Sequence, residues 1–350
     1  MTLQFTANKE DLAIISNLIR ATGNVGAQTN IKLEATSKDL LTLTTSNGSL
    51  LMQAKVKAIN AQGDAITMNA KKLSDIILRI NGNINFDNGV IKFGKSKLIL
   101  PTMVSTEIVS MTPPEGDIIT INSKELVNQL RRTIFATSTD ISNLLGGVSI
   151  NVNEVVAIDG NMMAINKLST DILKEQIVIP KILAEEIIKN FADSDIDIII
   201  GKNKIMISND KLTIVSGILE GIYPKYNQLI PKSFENEVSI NKIELLQALD
   251  ILSLVKDDKT NLCKFEFTSN SLIISAHNAG SGEGQSEIEI EYNGEDLTTG
   301  FNIEYLKNVL KNTDGDVVTI GINGALSAFA FKSNDTDINI LMPAQVRNAK

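Results

Sequence analysis

One cysteine, one histidine and no tryptophan occur in 350 residues. The single Cys263 excludes an intramolecular disulfide and any cysteine-cluster metal site. The single His277 excludes His-rich zinc sites and leaves little for a Ser-His-Asp or Cys-His machine. Aromatic residues make up 4% of the chain, which speaks against a single-strand binder built on stacking platforms. No apolar run approaches the roughly 20 residues that span a bilayer. The start, Met1 to Asp11, has no basic stretch followed by an apolar one, so no secretory signal is expected. A soluble, cytoplasmic chain without membrane contact is the expectation.

What is present is ample core material. The hydrophobic fraction is 43%, too high for a disordered chain. At about 100–200 residues per domain, the length suggests two or three domains. Helical periodicity appears in six short stretches: 8–20, 70–80, 123–133, 180–190, 241–256 and 302–311. Between them the sequence reads as short strands, such as 196–200, 204–208, 211–215, 264–267, 271–275 and 287–292, punctuated by Asn, Gly, Asp and Ser. The helices fall into three pairs, offset by 62, 57 and 61 residues within a pair and by 115 and 118 between pairs. A strand precedes each first helix and a hairpin follows each second one. The expectation is therefore an α+β chain of three repeats. Boundaries fall at Pro113–Gly116 and Pro231–Glu237, giving domains 1–116, 117–236 and 237–350.

Charge is segregated by element. The net charge is −8. The six helical stretches carry fourteen basic and nine acidic residues, a net +5, so the remainder carries −13. If the helices face one way, that face is basic and suits phosphates, while an acidic exterior repels stray nucleic acid. Solvated helix faces are the ordinary reading of such charges, and charge alone favours them. The candidate phosphate contacts are Arg20, Lys71, Lys72, Arg79, Arg131, Arg132 and Lys189.

Two stretches resemble catalytic motifs. Gly89 to Ser96 matches the phosphate-loop pattern G-x-x-x-x-G-K-S. That loop needs a helix leaving it, whereas here a strand ending at Pro101 follows, so a hairpin is expected. A phosphotransferase built on Gly94, Lys95 and Ser96 is the enzyme alternative. Gly280 to Gly284 fits neither a dinucleotide fingerprint nor a nucleophile elbow and reads as a loop between strands. His277 reads as a surface or turn residue and Cys263 as core. No acid/base constellation, metal site or cofactor is expected.

Several segments, in order, carry a resemblance. They are Phe135-Ala136-Thr137-Ser138-Thr139-Asp140 with Leu145-Gly146-Gly147, and Ala157-Ile158-Asp159-Gly160-Asn161-Met162-Met163-Ala164. Leu219-Glu220-Gly221-Ile222-Tyr223-Pro224-Lys225-Tyr226 follows, ending Leu229-Ile230-Pro231. The last are Phe301-Asn302-Ile303-Glu304-Tyr305-Leu306 and Leu341-Met342-Pro343. Across its whole length the chain resembles the bacterial β sliding clamp family, processivity subunits of the replicative DNA polymerase. The resemblance implies three tandem clamp-fold domains, with a homodimer closing into a six-domain ring around double-stranded DNA at the replication fork. It also implies a non-catalytic tether. Polymerase, clamp loader and other replication and repair proteins would insert short peptides into an apolar pocket.

Carried over by position, that pocket is lined by Leu145, Ile158, Gly160, Met163, Pro224, Leu229, Ile340, Met342 and Pro343. Core packing is the competing reading for Ile158, Met163 and Leu229. Basic residues that the family places around the pocket are missing, with Ser142, Met162, Gln228 and Gln345 at those positions. Peptides less acidic than the family's usual ones are therefore expected. The segment 102–111 matches poorly. A repeat-built scaffold that never encircles DNA is the other alternative.

Overall fold

A computed structural model describes residues 2–103, 108–140, 143–334 and 336–346. Ser142 and the middle of the 102–111 segment lie outside the described residues. Short helices pack on antiparallel sheets, and the chain divides into two compact units.

The first unit comprises Met1–Lys124 and Lys189–Ile218. It holds a five-stranded sheet in the order Ile59–Gln62, Gln4–Asn8, Asn83–Asp87, Val90–Phe93, Ser96–Ile99. It also holds an eight-stranded sheet in the order Ile118–Asn122, Asp195–Ile200, Lys204–Ser208, Leu212–Gly217, Leu50–Lys57, Leu40–Ser46, Asn30–Ser37, Ile66–Asn69. The second unit comprises Glu125–Ile188 and Leu219–Lys350. Its eight-stranded sheet runs Ile177–Pro180, Gly147–Ile150, Glu154–Ile158, Met162–Lys167, Asp337–Leu341, Phe329–Lys332, Val317–Ile322, Asn236–Asn241. Its four-stranded sheet runs Gly282–Glu289, Ser271–Asn278, Leu262–Phe267, Leu297–Asn302.

One local arrangement recurs three times. An antiparallel strand pair ends in the register Asn8 with Asn83, Asn122 with Asp195, and Asn241 with Val317. The next residue's N–H donates across to Gly82, Ser194 and Asp316 carbonyls at 3.1, 2.9 and 2.8 Å. Each asparagine then turns its side-chain oxygen onto the helix it precedes, accepting from the N–H of Glu10, Lys124 and Glu244. This is the capping that satisfies amides with no partner inside the helix. Asn69 and Asn302 cap two of the second helices in the same way, and Pro180 stands at that place in the middle pair. The strand before each second helix is paired in turn by the returning chain: Thr67 by Met103, Val178 by Leu219, Gly300 by Ala344.

Each longer helix buries two residues four apart on one face: Leu73 and Ile77, Leu126 and Leu130, Leu183 and Ile187, Leu245 and Leu249, Leu306 and Leu310. That spacing is the stripe a surface helix needs to seat on a sheet.

Three local expectations are corrected. The first helical stretch is broken into Lys9–Leu12, Ile15–Leu18 and a 3-10 turn Ile19–Ala21. There the Ser16 hydroxyl donates to the Ala13 carbonyl at 2.8 Å, and Ser16 and Asn17 amides bond three residues back instead of four. The fifth helical stretch stops at Leu252, and Leu254 and Val255 likewise bond back three residues. Gly282 and Gly284 are not loop residues but start the strand Gly282–Glu289, opposite Asn278 and Ala276. A Cβ on Gly284 would stand 3.1 Å from both Leu252 Cδ2 and Val255 Cγ2, so the glycine admits the helix end.

Candidate functional site

The eight-stranded sheet of the second unit builds an apolar floor. Ile158 pairs in register with Met163, and Met163 with Ile340, so the three stand in one row across three adjacent strands. They are buried in one cluster with Val156, Ala330, Tyr223 and Tyr226, and Leu144 and Leu145 pack against it. The turn between the first two strands is fixed by Asp159, whose Oδ1 accepts from the Asn161 and Met162 amides at 2.8 Å each. Gly160 adopts φ +95° there, a conformation L side chains rarely take, with open space where a Cβ would be.

The rim is more exposed. Met342 donates its N–H to the Asn161 carbonyl at 2.8 Å, extending the strand pair beyond Leu341, and its side chain is 44% exposed. Pro343 is half-buried and Pro224 exposed. Leu229 is 55% exposed, which removes it from the core. Leu145 sits half-buried on a 3-10 turn, where Asn143 Oδ1 accepts its N–H at 2.7 Å. The nine sequence candidates therefore divide into a buried floor of Ile158, Met163 and Ile340 and an exposed or half-exposed surround. Ile222, beside Tyr223 and not among the sequence candidates, is 93% exposed.

Two tyrosines moor the segment that carries Pro224 and Leu229. Tyr223 Oη donates to the Val156 carbonyl at 3.4 Å, and Tyr226 Oη to Glu154 Oε2 at 2.8 Å. Asn151 Nδ2 donates to Tyr226 Oη at 3.3 Å, and the two rings meet edge-on at 6.5 Å. Burial pushes both hydroxyls up, Tyr226 to about 12, with the Glu154 carboxylate adding to the rise. Both are neutral anchors at physiological pH.

The basic candidates fall in two places. In the first unit Lys71, Lys72 and Arg79 are exposed on the helix Ala70–Arg79, and Arg20 is exposed on the turn Ile19–Ala21. Arg79 Nη1 leans back on the Asp75 carbonyl at 2.5 Å. Asn17 Nδ2 donates to Asn190 Oδ1 at 2.8 Å, which brings exposed Lys189 toward the helix Ile15–Leu18. In the second unit Arg131 is exposed, with Nη1 3.4 Å from Asn128 Oδ1. Arg132 is different. It is half-buried, its Nη1 donates to Asp337 Oδ2 at 2.8 Å, and its second terminal nitrogen pairs with Asp314. Its charge is compensated by two carboxylates and it is half-buried, which sets it apart from the exposed basic side chains; Arg79, though exposed, also lies 3.4 Å from Asp75 Oδ1. On the last two helices Lys242 donates to the Thr313 carbonyl and Lys307 pairs with Asp250.

The phosphate-loop match is a hairpin. Val90–Phe93 pairs with Ser96–Ile99 around a turn at Gly94, which adopts φ +53°. Lys95 leads into a strand, so no helix N-terminus meets a phosphate there. Among the described residues no group of three or more His, Cys, Asp or Glu is placed to hold a metal ion. Cys263 is buried, its Sγ donates to the Phe301 carbonyl at 3.3 Å, and burial pushes the thiol up to about 12. His277 lies within the strand Ser271–Asn278, exposed and opposite Glu283. No helix among the described residues is long and apolar enough to cross a membrane.

Comparison with known proteins shows the family and the fold. Residues 120–225 match the family described as DNA polymerase III beta subunit, central domain, and residues 227–344 match its C-terminal domain. The beta sliding clamp of Pseudomonas aeruginosa is 24% identical over 364 residues, covering 99% of each chain. That of Rickettsia felis is 26% identical over 372 residues, covering 96% of this chain and 97% of its own. Among solved structures, the Pseudomonas aeruginosa DNA polymerase III subunit beta superposes with a TM-score of 0.89 at 23% identity, covering 98% of this chain and all of that one. A Bartonella birtlesii sliding clamp bound to griselimycin gives 0.92 at 21%, with the same coverage.

Proposed function

The chain belongs to the family of bacterial DNA polymerase III beta subunits, and from that premise we propose that it is a DNA sliding clamp, a non-catalytic processivity factor for the replicative polymerase. The observation that carries the reading is the threefold recurrence of one strand register, asparagine cap and helix in a chain that matches clamp relatives over nearly its full length. We take the repeats as three domains, 1–116, 117–236 and 237–350, of a six-domain ring made by two copies.

Two unpaired edges support a head-to-tail ring. The strand Ser96–Ile99 ends the five-stranded sheet, with Leu98 and Ile99 40% and 67% exposed. The strand Gly282–Glu289 ends the four-stranded sheet beside the helix Lys242–Leu252, where Ile251 is 67% and nearby Leu254 77% exposed. Free edges with apolar neighbours invite pairing, and two different edges meeting twice close a two-fold assembly.

Duplex DNA would pass through that ring, held loosely by Arg20, Lys71, Lys72, Arg79, Arg131 and Lys189. Contacts to phosphate carry no base readout and permit sliding. The apolar floor and rim of the second unit would take the anchoring peptides of polymerase, clamp loader and other clamp-binding proteins. Work at the fork places the protein in the cytoplasm, on the nucleoid. The test is primer extension by polymerase III core and clamp loader from the same organism, with a trap that limits synthesis to one binding event. Long products only when this chain is present support the reading. Equal lengths with and without it favour a scaffold that does not encircle DNA.

A further inference from the structure

The Arg132 pairing sits at one end of the strands that build the pocket floor. Asn166 pairs with Asp337 in the same antiparallel ladder that pairs Met163 with Ile340. The two positions are three residues apart, about 10 Å along the strand. Asp337 is nearly buried, its side chain 11% exposed. Its carboxylate also accepts from Asn334 Nδ2 at 3.0 Å and from Thr336 Oγ1 at 3.3 Å. Buried hydrogen bonds tie the same two strands to the same two helix ends. Asn166 Nδ2 donates to Thr133 Oγ1 at 2.8 Å, next to Arg132. Asn339 Nδ2, next to Ile340, donates to Thr313 Oγ1 at 3.0 Å, next to Asp314.

Arg132 therefore spans the polar clasp. It stands in the last turn of one helix, pairs with Asp314 beyond the other, and grips Asp337 on the strand that runs on through Ile340 to Met342 and Pro343. Without the cation, only the neutral donors Asn334 and Thr336 among the described residues face this nearly buried charge, and a poorly compensated carboxylate is driven toward water. Movement of Asp337 shifts the strand, because backbone register couples it to Ile340.

We propose that Arg132 is a positioning residue for the peptide pocket: by holding Asp337 it fixes the strand on which Ile340, Met342 and Pro343 present themselves. The inference rests on the pocket assignment above.

The experiment measures binding of a fluorescein-labelled hexapeptide with leucine and phenylalanine anchors on a serine and glutamine background. The variants are Arg132→Ala, Arg132→Lys, Asp337→Asn and Asp314→Asn, each assayed well below its own melting temperature. We expect Arg132→Ala and Asp337→Asn to weaken binding about 5- to 10-fold. Arg132→Lys should recover part of the loss. Asp314→Asn, which touches Arg132 but lies off the pocket strand, should change affinity less than twofold. Lower melting temperatures with wild-type peptide affinity in both Arg132→Ala and Asp337→Asn would overturn the proposal and leave a merely structural ion pair. If Arg132→Ala does not fold, Asp337→Asn and Arg132→Lys decide the matter by the same criterion. Failure of the wild-type chain to bind the peptide would instead overturn the pocket assignment itself, and the inference with it.

Discussion

Met163 stands directly opposite Ile340 across two antiparallel strands drawn from distant parts of the chain. Both are buried, and both belong to the cluster that also holds Tyr223 and Tyr226. The apolar floor exists only because these two strands pair, so its integrity and its surface chemistry are separable by mutation.

Leu229 tests the surface chemistry. At 55% exposure its truncation to alanine should change stability by no more than about 0.5 kcal/mol. If it is a pocket anchor, peptide affinity should fall by more than about 1 kcal/mol, roughly fivefold or more. Met163→Glu, by contrast, should lower both, since it places a carboxylate among buried apolar groups. Paired thermal melts and peptide titrations separate the two outcomes.

Peptide charge is the next point. Gln228 and Gln345 are neutral and exposed, and Glu220 and Asp159 outnumber Lys225 in the segments that supply Ile158, Gly160, Met163, Pro224 and Leu229. Peptides with neutral flanks should bind at least as tightly as acid-flanked ones, and added salt should help the acidic ones by screening repulsion. Tightest binding by acid-flanked peptides, weakening as salt rises, would contradict this.

Electrostatic contact with DNA should be shared among many side chains. Replacing Lys71, Lys72 and Arg131 together by alanine should reduce the slope of log affinity against log salt by about 2 to 3, at roughly 0.9 per phosphate contact. Arg132→Ala should leave that slope unchanged, because Asp314 and Asp337 already compensate its charge. Binding to linear duplex across a salt series gives both numbers.

Alkaline pH should weaken the fold. The Tyr226 hydroxyl and the Cys263 thiol are both pushed up to about 12, from ordinary values of 10.0 and 9.0. The folded state thus keeps protons that the unfolded chain has already released. Their contribution is intact below about pH 9 and is lost as pH rises from 9 toward 12. The melting temperature should fall over that range, and Tyr226→Phe should flatten part of the fall. The same burial should leave Cys263 unreactive to alkylating reagents until the chain is denatured.

Much of this architecture was legible in the sequence because its signals are local. Apolar periodicity marked the helical stretches, and the asparagines that cap them, Asn8, Asn69, Asn122, Asn241 and Asn302, were a second local signal that went unused. The hairpin nature of Gly89–Ile99 followed equally from turn residues and strand length. What escaped was set by long-range packing. Alternation tells a strand which side to bury but not which strand to join, so the pairing of Leu50–Lys57 with Leu212–Gly217, and of Met162–Lys167 with Asp337–Leu341, was not readable. The place of Gly284 depends on Leu252 and Val255 pressing against it. Arg132 looked like any helix-surface arginine because its partners lie 182 and 205 residues away.

The central claim is topological: the protein holds DNA by surrounding it. The most direct measurement is retention on a nicked circular plasmid after loading by a clamp loader, compared with the same complex cut once to a linear form. Encirclement predicts stable retention on the circle and rapid loss from the free ends after cutting. Equal retention on circle and line would contradict it and leave ordinary contact binding in its place.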